Sequence, residues 1–130
     1  MAKARLDEVR SNHGFVIRAL AAGSLTLTEL AARLGVSKQA AQKVVDDMER
    51  RRLVERVPSS TDRRAKAIRL TKRGQKVRQT ALATSERLEA ELRADLGDAT
   101  VDAARAALEH FVEQNGGLED VRAGRARPIW

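Results

Sequence analysis

Residues 27–51 run LTELAARLGVSKQAAQKVVDDMERR, and the way this stretch divides decides the fold. Leu27, Leu30, Ala31 and Leu34 recur at spacings of three and four, the period of one buried helical face. Thr26 or Thr28 is placed to open that helix and Gly35 to stop it, since only glycine takes the left-handed conformation at no steric cost. Ser37 then stands as an N-cap whose hydroxyl can accept from a free N–H of the next turn. The helix it opens carries Ala41, Val44, Val45 and Met48 on its apolar face and runs to about Arg51.

Outward from this core, Leu6, Val9, His13, Val16, Ile17 and Leu20 keep helical spacing and predict one or two helices ending near Ala22-Gly23, with Ser11 able to cap the second. On the other side the period changes to two. Leu53–Val57 alternates up to Pro58, Ser59–Asp62 is a turn-prone cluster, and Ala65–Leu70 alternates again, which predicts a β-hairpin. Thr71 caps a long helix from Lys72 to about Leu96, with Val77, Ala81, Ser85, Leu88, Leu92 and Leu96 along one side. Gly97-Asp98 interrupts, and a last helix with Val101, Ala104, Leu108, Phe111 and Val112 stops at Asn115–Gly117. The tail to Trp130 holds Gly124, Pro128 and three arginines.

The expected fold is mainly α with a small β-hairpin wing: a winged helix-turn-helix with a C-terminal helical dimerisation region. Its parts are an N-terminal helical segment over 1–25, the winged core over 26–73, the helical region over 74–117 and a basic tail over 118–130. The last two helices carry more Leu and Ala than a lone helical pair can bury, so they predict a homodimer; packing onto their own winged core is the alternative.

Composition narrows the partner. The net charge of +7 is uneven: residues 1–76 hold 18 Lys/Arg against 8 Asp/Glu, and residues 77–130 hold 7 against 10. A polyanion is therefore expected at the N-terminal part. Cysteine is absent, which removes disulfides, thiolate metal sites and thiol redox sensing. Only 2% of residues are aromatic, and Ala and Leu, both strong helix formers, dominate the apolar 42%. Arg5, Asp7, Glu8, Arg10 and Arg18 break any secretory leader, and no apolar run approaches the roughly 20 residues of a membrane span. A soluble, cytoplasmic protein without membrane association is expected.

With Ala41, Val44, Val45 and Met48 turned inward, the second helix of the pair presents Gln39, Ala40, Gln42 and Lys43 to the base edges of a major groove, which is wide enough to admit a helix. Glutamine matches the adenine edge, lysine reaches guanine or phosphate, and alanine fits a thymine methyl. Ser37 and Lys38 are placed for phosphate. At the hairpin, Arg63 and Arg64 form a cationic tip, with Lys66 and Arg69 on the return strand, suited to an adjacent minor groove. Asp62 is unfavourable against phosphate and is expected to pair with an arginine or cap the turn. Arg50–Arg52 complement the helix dipole, and the run reads either as a solvated stretch or as a phosphate clamp.

These residues resemble the MarR family of bacterial winged-helix regulators. The pattern is Ala40-Ala41, Met48-Glu49 and Leu53-Val54, then Asp62-Arg63-Arg64 seven residues on, and Thr71 and Gly74 after six more. The resemblance runs from about Asn12 to Val77 and more weakly to Gly117. It implies a sequence-specific DNA-binding transcriptional regulator, most often a repressor, that binds an inverted repeat in double-stranded DNA as a homodimer. Asp62 would orient the wing and Arg64 enter the minor groove. It also implies a small-molecule effector, whose identity the residues leave open; Phe15, Phe111 and Trp130 are a sparse supply of aromatic rings.

Three features depart from the family pattern. Lys43 stands where arginine is usual, so phosphate binding is kept and bidentate guanine reading is weakened. Arg52 replaces the glycine that ends the recognition helix, which predicts a strained residue or a different ending there. About ten residues stand where the family has a long first helix.

No nucleophile–base pattern, Gly-rich phosphate loop or metal-ligand cluster appears, so neither an enzyme nor a cofactor or metal is expected; His13 and His110 would need carboxylate partners such as Glu109 or Glu113 to hold a metal, and a lone histidine on a helix is usually structural or solvated. The competing functions are an architectural, sequence-tolerant DNA binder and a winged-helix module for protein–protein assembly.

Overall fold

The computed structural model describes residues 12–115 and 117. Helix α1 spans His13–Ala19, strand β1 Leu25–Thr26, helix α2 Leu27–Leu34 and helix α3 Lys38–Arg50. Strands β2 and β3 span Val54–Pro58 and Lys66–Leu70, and helices α4 and α5 span Lys72–Leu96 and Asp98–Gln114.

Local chemistry explains most boundaries. Thr26 accepts from the Glu29 N–H at 3.2 Å, Ser37 from Ala40 at 3.1 Å and Thr71 from Gly74 at 3.0 Å, so each of three helices begins on a side-chain cap. Gly35 ends α2 with φ at +67°. Ser11, Leu6 and Val9 lie outside the described residues, as does the 118–130 tail with Trp130. Asn12 holds the N-cap position of α1 without a side-chain cap bond, and that helix ends at Ala19, short of the expected Ala22-Gly23. Leu20 instead closes its last turn through an N–H to the Val16 carbonyl at 2.9 Å.

The hairpin is part of a larger sheet. β1 joins β2 and β3 in the order β1-β3-β2, all antiparallel, with Leu25 opposite Ile68 and Thr26 opposite Ala67. The expected two strands become three because the entry to α2 pairs with the returning wing strand. A two-residue strand has too short a run to show alternation. Ala67, the least informative residue of its strand by size, is buried.

The core gathers Val16, Ile17, Leu20, Leu30, Leu34, Val45, Met48, Leu53, Val54, Ile68, Leu70 and Val77, and Leu25 of β1 packs against it half-buried. Each fully buried side chain of this kind contributes roughly 1.5–3 kcal/mol of transfer free energy. The junction between α3, the sheet and α4 is tight. Arg52 has φ at +59°, the strained ending expected where the pattern glycine is missing. Its carbonyl accepts from Thr71 Oγ1 at 2.5 Å, and the next carbonyl, Leu53, accepts from the Thr71 N–H at 3.1 Å. Gly74 lies against that same carbonyl: a Cβ there would stand 2.1 Å from the Leu53 oxygen.

Beyond this junction the helices turn outward. Of the stripe Val77, Ala81, Ser85, Leu88, Leu92 and Leu96, only Val77 is buried. Leu88, Leu92 and Leu96 are 53%, 48% and 55% exposed, and Leu108 and Phe111 on α5 are 67% exposed. An ionic cluster folds α5 back on α4. Arg93 donates to Asp102 at 2.9 Å and Asp98 at 3.1 Å, and Arg105 pairs with Glu89. The Asp102 bond, then the Asp98 bond, hold the Arg93 guanidinium above its ordinary pKa. Among the described residues no helix is long and apolar enough to cross a membrane.

Candidate nucleic-acid interface

The site is built on α3 and the wing. Ala41, Val45 and Met48 are buried on the inner face of α3, which turns the remaining positions outward. Ser37, Lys38, Gln39, Ala40 and Lys43 are exposed and Gln42 is half-buried. Lys38, Gln39, Gln42 and Lys43 border one shallow depression together with Leu27 and Asp46. Four of the six residues expected on this helix therefore share a concave surface. Ser37 accepts from the Ala40 N–H through its Oγ, leaving its hydroxyl proton available to a phosphate oxygen.

The wing supplies the second element. Val54–Pro58 pairs with Lys66–Leu70 in register from Val54↔Leu70 to Pro58↔Lys66. Its tip is organised by short polar bonds. Ser59 Oγ accepts from the Thr61 and Asp62 N–H groups, both at 3.2 Å, and Asp62 Oδ1 accepts from the Arg64 N–H at 2.9 Å. Asp62 thus caps the turn, one of the two roles expected for it, and its negative charge is spent on backbone. Arg63, Arg64 and Lys66 are exposed.

Ion pairing separates two populations of cation. Arg69 pairs with Glu55 across the hairpin at 2.8 Å, Arg56 with Asp46 at 3.0 Å and Glu49 at 3.3 Å, and Arg50 and Arg51 with Asp47 at 3.4 and 3.1 Å. The side chains of Lys38, Lys43, Arg63, Arg64 and Lys66 make no ion pair with any described residue. Charge on these five is therefore uncompensated locally and open to a polyanion. The Arg50–Arg52 run divides accordingly: Arg50 and Arg51 return to Asp47, while Arg52 serves the turn.

Several residues of the site are not evident from sequence. Asp46 accepts from Gln42 Nε2 at 2.6 Å and from Arg56 at 3.0 Å through the same oxygen, Oδ1. Spacing of four residues could have suggested the first contact; nothing local points to the second. His13, fully buried in α1, bonds Asp47 on α3 at 2.8 Å. His13 is thus a structural anchor of the recognition helix. Among the described residues no group of three or more His, Asp or Glu could hold a metal ion.

A helix-turn-helix whose second helix presents a polar, cationic face beside a cationic hairpin defines a winged-helix DNA-binding protein. Residues 10–65 match the MarR family. The matched segment covers the helix-turn-helix and most of the wing, and members of that family are DNA-binding transcription regulators. The likeness to solved structures reaches beyond the matched segment. RV1404 from Mycobacterium tuberculosis is 28% identical with a TM-score of 0.69, over 88% of this chain and 79% of that one. YusO from Bacillus subtilis is 25% identical with a TM-score of 0.67, over 81% and 75%. A MepR mutant from S. aureus, bound to an oligodeoxyribonucleotide, shares the fold at 22% identity and a TM-score of 0.63, over 84% and 83%. No curated protein is similar enough in sequence to be matched to the chain.

Proposed function

We propose that this protein is a sequence-specific repressor that binds an inverted repeat in duplex DNA as a homodimer. Residues Gln39, Ala40, Gln42 and Lys43 of α3 face base edges in the major groove, with Ser37 and Lys38 on phosphate. Arg63, Arg64 and Lys66 of the wing reach the adjacent minor groove, where a narrow A·T tract concentrates negative potential. The observation that carries this reading is the set of locally unpaired cations on α3 and the wing, set apart from neighbouring arginines that are neutralised by carboxylates. The MepR structure, with the same fold on an oligodeoxyribonucleotide, supports it.

The homodimer is supported by the exposed apolar stripe of Leu88, Leu92 and Leu96 on α4 with Leu108 and Phe111 on α5. Two copies joined there would set two recognition helices about one DNA turn apart, which is the geometry of an inverted repeat. A cleft between α1 and α4, bordered by Phe15, Ile17, Val77 and Leu82, offers an effector a mostly apolar place to bind. Such a regulator works in the cytoplasm, beside the chromosome.

Selection of bound sites from random duplex tests the reading directly. It should return an inverted repeat, bound by two chains, and that repeat placed across a promoter should lower transcription when the protein is added. Preference for the repeat over random duplex below about 1.4 kcal/mol would mean architectural binding instead. No duplex binding at about 50 mM salt would leave an assembly module.

A further inference from the structure

We infer that Asp46 sets the base preference of Gln42 without touching DNA itself, making it a positioning residue for the recognition helix; this rests on the DNA-binding reading of α3. A free glutamine on a helix surface can rotate its amide and present either oxygen or nitrogen outward, so it discriminates poorly. Here Asp46 Oδ1 stands 2.6 Å from Gln42 Nε2. A carboxylate accepts hydrogen bonds and cannot donate one, so only the nitrogen can face it. The flip is thereby fixed. Oε1 and the second N–H remain for a partner, on a residue that borders the same depression as Lys38, Gln39 and Lys43. An acceptor beside a donor complements adenine, whose major-groove edge offers an N6 donor beside the N7 acceptor.

A carboxylate at a DNA-facing surface would ordinarily repel phosphate. Arg56, on the first strand of the wing, answers this by donating to the same Asp46 oxygen at 3.0 Å while also pairing with Glu49 at 3.3 Å. Asp46 is thus held from two sides, by the residue it orients and by the base of the wing. The shared oxygen matters for the test. An asparagine at this position loses the charge but keeps an acceptor oxygen, which Arg56, able only to donate, holds in the shared place; alanine loses both.

The experiment uses the full-length protein with Gln42→Ala, Asp46→Ala, Asp46→Asn and the Gln42→Ala/Asp46→Ala pair, each checked for wild-type melting and selected against random duplex. Gln42→Ala should identify one A·T pair per half-site by flattening its preference about tenfold. Asp46→Ala should flatten that same pair by a similar factor, with other positions unchanged and affinity for scrambled duplex equal or higher. The double variant should lose no more than Gln42→Ala alone, and Asp46→Asn should retain the preference. NMR of the Gln42 side-chain amide in the free protein gives a readout independent of DNA: its motion should be restricted in wild type and released by Asp46→Ala. A wild-type preference kept by Asp46→Ala, additive losses in the double variant, loss in Asp46→Asn, or a G·C pair under Gln42 would overturn the inference. An ordered amide with no selected sequence would instead sink the DNA-binding reading on which it rests.

Discussion

Arg52 closes the turn after α3 with φ at +59°, a region in which a residue with a Cβ pays roughly 1–2 kcal/mol. Its side chain is exposed, and its useful contacts are all backbone: the N–H reaches the Glu49 carbonyl at 3.0 Å and the carbonyl accepts from Thr71 Oγ1 at 2.5 Å. Glycine would keep both bonds and remove the strain, at a cost of roughly 0.5–1 kcal/mol in unfolded-chain entropy. Arg52→Gly should therefore raise stability by about 0.5–1 kcal/mol and the melting temperature by about 2–4 °C. Arg52→Ala separates the backbone from the side chain, because it keeps the strain and drops the charge; it should melt with wild type. Arg52→Val, with a β-branched side chain forced to positive φ, should fall below both. Thermal melts at one fixed protein concentration measure the series, since an associating protein melts in a concentration-dependent way. If the glycine and alanine variants melt together, the left-handed turn is not a source of strain and the reasoning fails.

Gly74→Ala would drive a Cβ against the Leu53 carbonyl, which is backbone and cannot rotate away, so urea denaturation should show a loss of about 2 kcal/mol or more. Gly14→Ala, a helical glycine whose Cβ would meet nothing within 4 Å, should do the opposite and stabilise by up to about 1 kcal/mol. Arg64→Ala should weaken duplex binding and reduce the slope of log affinity against log salt by about 1, and an unchanged slope would remove the wing from the interface. Leu108→Asp places a charge in the exposed apolar stripe and should shift sedimentation from dimer to monomer while leaving the helical signal intact.

What was legible in the sequence was local. Thr26, Ser37 and Thr71 each satisfy an N–H three residues ahead, so their capping role is written within a few positions, and the Lys72–Leu96 helix kept both its ends. Arg50 and Arg51 sit three and four residues after Asp47, a spacing that places them on one helical face, so their pairing was within reach of the sequence. What was not legible depends on contacts between segments far apart. Leu25 and Thr26 are a strand solely because β3 returns beside them. His13 and Asp47 meet across 34 positions, and the ring that looked like an isolated histidine anchors α1 to the recognition helix. Asp46 and Arg56 stand ten positions apart on different elements, and only the turn through Arg52 and Leu53 brings them together.

These long-range contacts bear on how such a protein could be switched. β3 sits between β1, which leads into α2, and β2, which leaves α3, so backbone bonds tie the wing to the helix-turn-helix on both sides. Thr71 and Gly74 then lock the start of α4 against the two carbonyls that follow α3. The winged domain and its arm, the α4–α5 pair, are thus joined through main-chain contacts, which deform far less readily than a surface of side chains. A ligand in the cleft between α1 and α4 would find little freedom to turn α3 within one copy. It would act by changing how the two arms meet, which alters the separation of the recognition helices as rigid bodies. An effector should accordingly weaken binding to the paired half-sites strongly and leave affinity for a single half-site nearly unchanged; equal loss on both would place the switch inside the winged domain.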